Sequence, residues 1–221
     1  TCIADNNGNV YRMLGTMRDI TELKNAEKLQ NAVFKISEAA ITSATLDELY
    51  QSIHNIISEI IFAKNFYIAI YDREHHLLRF PYFVDEIDEY VSEQKFGRGL
   101  TEYVIRTGKP LFVTPDLFKE LLSKKHVEVV GEPSIDWVGV PLKANNITIG
   151  AMAIQSYDEK IRFGKFEQNI MTYVSEQIAM SIERKMSEQK TTESEKKFRT
   201  IFEAAQDAIF LMKDDNFIDC N

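Results

Sequence analysis

The sequence predicts an α+β fold, in which hairpin-linked strands form a sheet that helices cover on both faces and long helices enter and leave at the two ends. Three observations carry this expectation. The stretch Phe96 to Val113, FGRGLTEYVIRTGKPLFV, reads as a short helix running into a strand. Gly97 and Gly99 allow a close-approaching backbone, Thr101 offers its hydroxyl as a cap, and Leu100, Tyr103, Val104 and Thr107 share one helical face. Gly108 supplies a left-handed C-terminal position, and Pro110 keeps the helix from resuming before Leu111 to Val113. The second observation is Trp137 to Gln155, WVGVPLKANNITIGAMAIQ, where two apolar runs flank Lys143 to Asn146 and Ala144-Asn145-Asn146 can turn a hairpin. Third, both runs are apolar on both parities, as strands covered on both faces must be.

Taken in order, the chain opens with two expected strands around Asn6-Asn7-Gly8-Asn9, the second spanning Val10 to Arg18. Asp19 and Thr21 are short acceptors suited to cap a helix beginning near Glu22. That helix extends to about Ser43, with an apolar stripe of Leu23, Leu29, Val33, Ile36 and Ala40 near coiled-coil spacing. Thr45-Leu46-Asp47-Glu48 reads as a capping box for a second helix, which buries Leu46, Leu49, Ile53, Ile56, Ile57 and Ile60. Phe66 to Tyr71 and Leu77 to Phe83 read as strands joined by Asp72-Arg73-Glu74-His75-His76. Asp85 to Glu93 reads as an acidic surface loop or short helix, Asp116 to Lys124 as a short helix behind Pro115, and Glu128 to Asp136 as a loop holding Gly131 and Pro133. A last long helix starts near Phe163-Gly164 with the stripe Phe166, Ile170, Met171, Val174, Ile178 and Ile182. Ser187 to Lys197 (SEQKTTESEKK) has no apolar residue and reads as a solvated helical connector or a hinge. Phe198, Ile201, Phe202 and Ala205 then restart an amphipathic turn, and strands follow at Ala208 to Met212 and Phe217 to Asp219.

Composition bounds the function. The 221 residues carry a net charge of −8, with 44% hydrophobic and 27% charged residues, an ordinary globular balance for one or two domains. The acidic excess argues against nucleic acid as a partner, because phosphate binding needs a basic face. No run of 18 apolar residues exists, so no membrane span is expected. The two cysteines, Cys2 and Cys220, lie near opposite ends, which excludes a disulfide framework and a CxxC metal site and suggests a reducing, cytoplasmic setting. The chain shows no signal-peptide pattern, lacks an initiating Met and reads as a piece of something longer. Of the histidines, His54 falls on the second helix, His75 and His76 in a turn and His126 after a helix, none spaced as a metal ligand. No GxSxG, GxxxxGKS or HExxH motif is present, so no catalytic residue is assigned.

The pattern GxGLTxxVIRTGKPLxV … WVGVPL … IGAMAIQSY resembles the GAF family of small-molecule sensor domains, particularly those of prokaryotic multi-domain sensor kinases, over about residues 30–185. The resemblance implies a GAF-like central antiparallel sheet, with helices from both domain ends on one side and a ligand pocket on the other. Residues 1–29 resemble the C-terminal tail of a PAS domain with its exit helix, and 198–221 (FRTIFEAAQDAIFLMKDDNFIDCN) the start of a second PAS domain, with 186–197 as a polar helical connector leading into it. The implied function is a regulatory sensor and relay module of a cytoplasmic two-component protein, a sensor histidine kinase whose catalytic part lies elsewhere. A ligand-free dimerisation and relay domain, or a small-molecule enzyme on the same fold, are the alternatives. A cavity of ~300 Å³ or more would favour sensing and a filled core the relay.

By the same resemblance, the ligand would lie between the sheet and the Phe96 to Thr107 segment. Tyr67, Tyr82, Phe96, Tyr103 and Trp137 would wall it, with Arg106 and Gln155 as polar contacts; core packing is the plain alternative for the aromatics. Family members that carry a covalent bilin or reduce methionine sulfoxide use cysteines, and residues 30–185 contain none. Phe80, Phe83, Asp85 and Glu86 match the cyclic-nucleotide signature only at the wrong spacing and without its Asn-Lys lead. The cofactor and ligand are therefore unknown, and the expected partners are a small molecule and a second copy of the chain, in a parallel homodimer held by the two flanking helices.

Overall fold

The computed structural model describes residues 18–205 throughout, together with Asn7 and the backbone of β1 (Cys2–Ala4), β2 (Val10–Met13), β9 (Phe210–Lys213) and β10 (Asn216–Cys220). β1 pairs antiparallel with β2 through Cys2 and Met13, and β10 with β9 through Cys220 and Phe210. Most of the expected Asn6 to Asn9 turn, the strand residues 14–17 and the centre of the turn at 214–215 lie outside the described residues.

The strands that are apolar on both parities become the middle of one six-stranded antiparallel sheet, ordered β5-β4-β3-β8-β7-β6. These are β3 (Asn65–Asp72), β4 (Leu77–Val84), β5 (Glu93–Lys95), β6 (Leu111–Val113), β7 (Asp136–Ala144) and β8 (Ile147–Ser156). Asn145 (φ 50°) and Asn146 (φ 65°) close the β7–β8 hairpin in the left-handed conformation that a two-residue turn requires. β5 was not expected: its residues, Glu-Gln-Lys, are polar, and only pairing with the β4 edge makes them a strand.

Alternation then sorts the side chains. Phe66, Ile68, Val138, Val140, Met152 and Ile154 point to one face, where they meet α1 (Thr21–Thr42), α2 (Leu46–Ser58) and α5 (Lys165–Ala204). Tyr67, Ala69, Trp137, Ala151 and Ala153 point to the other, beneath α3 (Leu100–Thr107) and α4 (Pro115–Ser123). On the first face Thr45 Oγ1 accepts from Glu48 N–H at 3.2 Å, and the Glu48 carboxylate accepts from Ala44 N–H at 2.7 Å, which completes the start of α2. Asp19 does not cap α1 directly; the N-cap is Ile20, and Asp19 Oδ1 accepts the Thr21 N–H at 2.8 Å.

A fully buried carboxylate pins the start of α5. Asp136, with no side-chain exposure, accepts two hydrogen bonds from Arg162, at 2.8 and 3.0 Å, and one from Phe163 N–H at 2.8 Å. From there α5 runs for 40 residues, about 60 Å at 1.5 Å per residue, and the polar stretch Ser187 to Lys197 is helical throughout.

The expected apolar stripes need one correction. Ile36, Ala40, Ile170, Met171, Val174, Ile178 and Ile182 are buried inside the domain's own core, so they offer nothing to a second chain. Leu23, at the start of the expected α1 stripe, is exposed, and the other exposed apolar residues include Phe34 and Ile41 on α1 and Phe166, Tyr173 and Met180 at seven-residue intervals on α5. Phe166, assigned to the buried stripe from sequence, is among the exposed ones because it sits in the first turn, at the domain edge.

Candidate ligand-binding site

The α3 face carries a cavity above the sheet, beside a row of small residues that let the Trp137 ring lie flat. Across the sheet, Tyr67 lies opposite Ala153, and Ala153 opposite Gly139. The Trp137 indole folds across Gly139, where an added Cβ would stand 2.0 Å from the ring. This leaves a space of about 240 Å³, walled by Tyr67, Phe80, Phe83, Phe118 and Trp137 and bounded by the first turn of α3. Residues of the loops 85–92 and 127–135 form its outer side. The volume falls short of the ~300 Å³ expected above of a sensing site, yet the core on this face is not filled either; the space that remains has room for a small molecule only.

Polar groups on the wall form two connected sets. In the first, Trp137 Nε1 donates to the Tyr67 hydroxyl at 3.0 Å, and that hydroxyl lies 2.8 Å from Thr101 Oγ1. The chain ties β7 and β3 to α3, and all three side chains are buried. Burial pushes the Tyr67 phenol above its ordinary value, so it stays protonated. In the second, Gln155 donates to Asp85 at 2.6 Å, and Tyr157 donates to Asp85 and Asp88, both at 3.2 Å. Burial, followed by these two carboxylates, raises the Tyr157 phenol. Asp88 also accepts the Glu132 N–H at 2.8 Å, which joins the two loops over the cavity.

The residues expected at the site separate into three groups. Tyr67, Trp137 and Gln155 line the cavity. Tyr82 is on the opposite face, where it approaches His54 Nδ1 at 2.8 Å and packs near Phe66 and Tyr50. The cause is a bulge: Ile68 pairs with Tyr82 but Ile70 with Arg79, so Phe80 and Pro81 together oppose Ala69 and the side-chain parity reverses. Proline inside a strand is the sequence signal for such a bulge. Phe96, Tyr103 and Arg106 do not reach the cavity. Phe96 packs on Tyr71 with centroids 4.1 Å apart, Tyr103 lies 6.1 Å from the His126 ring, and Arg106 donates to the carbonyls of Gly97 and His126.

α3 is also turned relative to its expected face. Gly99 is the N-cap, so Thr101 lies inside the first turn and spends its hydroxyl on Tyr67 instead of capping. Thr101, Glu102, Val104 and Ile105 are buried, while Thr107 is exposed. Glu102 escapes sequence reasoning because a carboxylate in a first helical turn normally faces solvent; here it is buried and turns back onto Gly97 N–H and the Gln94 amide. Among the described residues no group of three His, Cys, Asp or Glu side chains is placed to hold a metal ion, and no helix is long and apolar enough to cross a membrane.

The GAF domain profile matches residues 43–183, well over half of the chain, including the whole of the six-stranded sheet, α2 to α4 and the first half of α5. The chain belongs to the GAF family. Its fold recurs in the GAF domain of a phosphoenolpyruvate-protein phosphotransferase from Coxiella burnetii, at 16% identity, TM-score 0.60, and coverage of 75% of this chain and 99% of that one. It recurs in the free methionine-R-sulfoxide reductase of Neisseria meningitidis, solved with its substrate, at 14% identity, TM-score 0.56, and coverage of 82% and 99%. A methyl-accepting chemotaxis protein fragment, residues 122 to 287, is similar at 16% identity, TM-score 0.53, and coverage of 70% and 97%. At such identities the likeness is one of fold. No curated protein matches the sequence. The same fold thus occurs in a chemotaxis protein and in an enzyme.

Proposed function

We propose that this GAF domain is a regulatory small-molecule sensor within a cytoplasmic signalling protein of the histidine-kinase type. The observation that carries the reading is the location of the cavity: it is on one face of the sheet, while the helix that leaves the domain is rooted in the other. The Trp137–Tyr67–Thr101 hydrogen bonds couple the cavity wall to β3, β7 and α3. β7 in turn holds the start of α5 through Asp136 and Arg162. Ligand-dependent movement of the wall therefore reaches α5 through one strand. Relatives of this fold that reduce methionine sulfoxide rely on cysteines, which are absent from residues 43–183, and this weighs against the enzyme alternative.

The proposal includes the flanking segments as parts of PAS domains and a parallel homodimer. The dimer face would be the exposed row Phe166, Tyr173 and Met180 with Phe34 and Ile41, since heptad-spaced apolar residues are most simply covered by the same row of a second copy. α5 continuing through Ser187 to Lys197 supports a relay by rotation. A two-residue insertion after Thr192 in the full-length kinase turns a continuous helix by ~200° and should change the output. An unaffected output, or a monomer by light scattering at tens of micromolar, would defeat this relay.

A further inference from the structure

The charge of the cavity wall is one-sided. Asp88, Glu89, Glu102, Glu128 and Glu132 all line it, and no Lys, Arg or His does. Two of these carboxylates are engaged: Asp88 by Tyr157 and the Glu132 N–H, and Glu128 by Arg98 at 3.6 Å on the exposed rim. Glu89 and Glu132 are exposed at the mouth. Glu102 is different. It is only 2% exposed, and its Oε1 accepts from Gly97 N–H at 3.2 Å and from the Gln94 amide at 3.3 Å. Its Oε2 accepts no hydrogen bond from any described residue; since no fully buried side-chain oxygen or nitrogen among the described residues lacks a partner, this oxygen keeps contact with open space, and no described cation is paired with it. A carboxylate so enclosed and without a counter-charge favours a cationic partner at its free oxygen.

The rest of the wall is aromatic. Trp137, Tyr67, Phe80 and Phe83 present ring surface to the same space as Glu102. Ring faces carry partial negative charge and attract cations, Trp most strongly. An anionic ligand would meet five carboxylates and no basic side chain, and the carboxylate of a free amino acid would lack a partner. A cation with an apolar body satisfies both halves of the wall.

We propose that the cavity binds a small protonated organic amine, with its ammonium group donating to Glu102 Oε2 and its apolar body resting on the Tyr67 and Trp137 rings. Glu102 and the aromatic wall select the charge, and the 240 Å³ of space limits the size. The assignment rests on the sensor reading and names its ligand class.

The chain has one tryptophan, and it lines the cavity, so Trp137 fluorescence reports occupancy without a label. The test titrates three probes with the same aromatic body: phenethylamine, phenylalanine and 3-phenylpropionate. The cation should saturate the signal with a Kd at or below about 1 mM, at least tenfold tighter than the zwitterion or the anion. Glu102→Gln, which keeps the Oε1 acceptor for Gly97, should weaken phenethylamine at least tenfold, while its melting temperature shows whether it is folded. Should it not fold, the three-probe comparison on the unaltered protein decides alone. Tighter binding of the anion or zwitterion, or unchanged phenethylamine affinity in folded Glu102→Gln, overturns the amine assignment but leaves the sensor reading standing. No saturation by phenethylamine at about 10 mM overturns the assignment as well.

Discussion

Removing one oxygen tests whether the cavity wall is a coupled unit. Tyr67→Phe deletes the hydroxyl that accepts from Trp137 Nε1 at 3.0 Å and contacts Thr101 Oγ1 at 2.8 Å, and it leaves the ring in place. Trp137 is only 3% exposed, so its N–H loses its partner in a buried setting, which costs about 1–3 kcal/mol. Thr101 loses one neutral hydrogen bond, worth about 1 kcal/mol, though its hydroxyl can rotate toward the cavity. The expected loss is about 2–3 kcal/mol, or roughly 4–12 °C in melting temperature for a chain of this size. Urea denaturation should show a lower midpoint at unchanged m-value. A double-mutant cycle with Thr101→Val should give a coupling of about 0.5–1 kcal/mol. A loss under about 0.5 kcal/mol would refute the reasoning, because the hydroxyl would then hold neither neighbour.

Asp136→Ala should destabilise by about 2–4 kcal/mol in the same denaturation assay. The Phe163 N–H is left unpaired in the core, whereas half-exposed Arg162 regains water. Gly139→Ala should cost about 1–3 kcal/mol by overpacking and shift the Trp137 emission to the red, since the new methyl occupies the position of the indole. Tyr103→Ala should leave amine affinity unchanged, because Tyr103 packs near His126 and not at the cavity; a tenfold loss would move the site toward the outer side of α3. Acid should weaken the fold gradually. Asp72, held down first by the His75 backbone N–H, and Glu86, held down by Lys64, both titrate below their ordinary values of 3.8 and 4.5 in the folded chain. Their contributions are complete above those values and fade as pH falls through the lower folded ones, so the part of the thermal stability that these two groups supply should be lost below about pH 5.

Most of the scaffold was legible because its signals are local. Gly108 takes φ 59°, Asn145 and Asn146 form the hairpin turn, and Thr45 with Glu48 opens α2. The two-sided burial of β7 and β8 followed from their composition alone. What escaped depends on pairing between distant segments. β5 exists only because β4 offers an edge, Tyr82 changes face only because Phe80 and Pro81 bulge against Ala69, and buried Glu102 finds its amide partner, Gln94, on that same unforeseen β5. Tyr67, Trp137 and Gln155 line the cavity as their strand parity predicts, because they sit where the β3–β8 and β7–β8 pairings run in regular register. The apolar rows on α1 and α5 show the limit of periodicity: the spacing located helices, but the inward row and the exposed row could be told apart only by the sheet beneath them.

The central claim, that the α3-face cavity is a ligand site, is tested most directly by native mass spectrometry of the protein purified from its own host. The account predicts a bound species small enough for the 240 Å³ of space, carrying an amine, and lost when Trp137 is replaced by Ala in a protein that still folds. A mass equal to that of the bare chain, in a preparation where added phenethylamine also leaves no adduct, would contradict it.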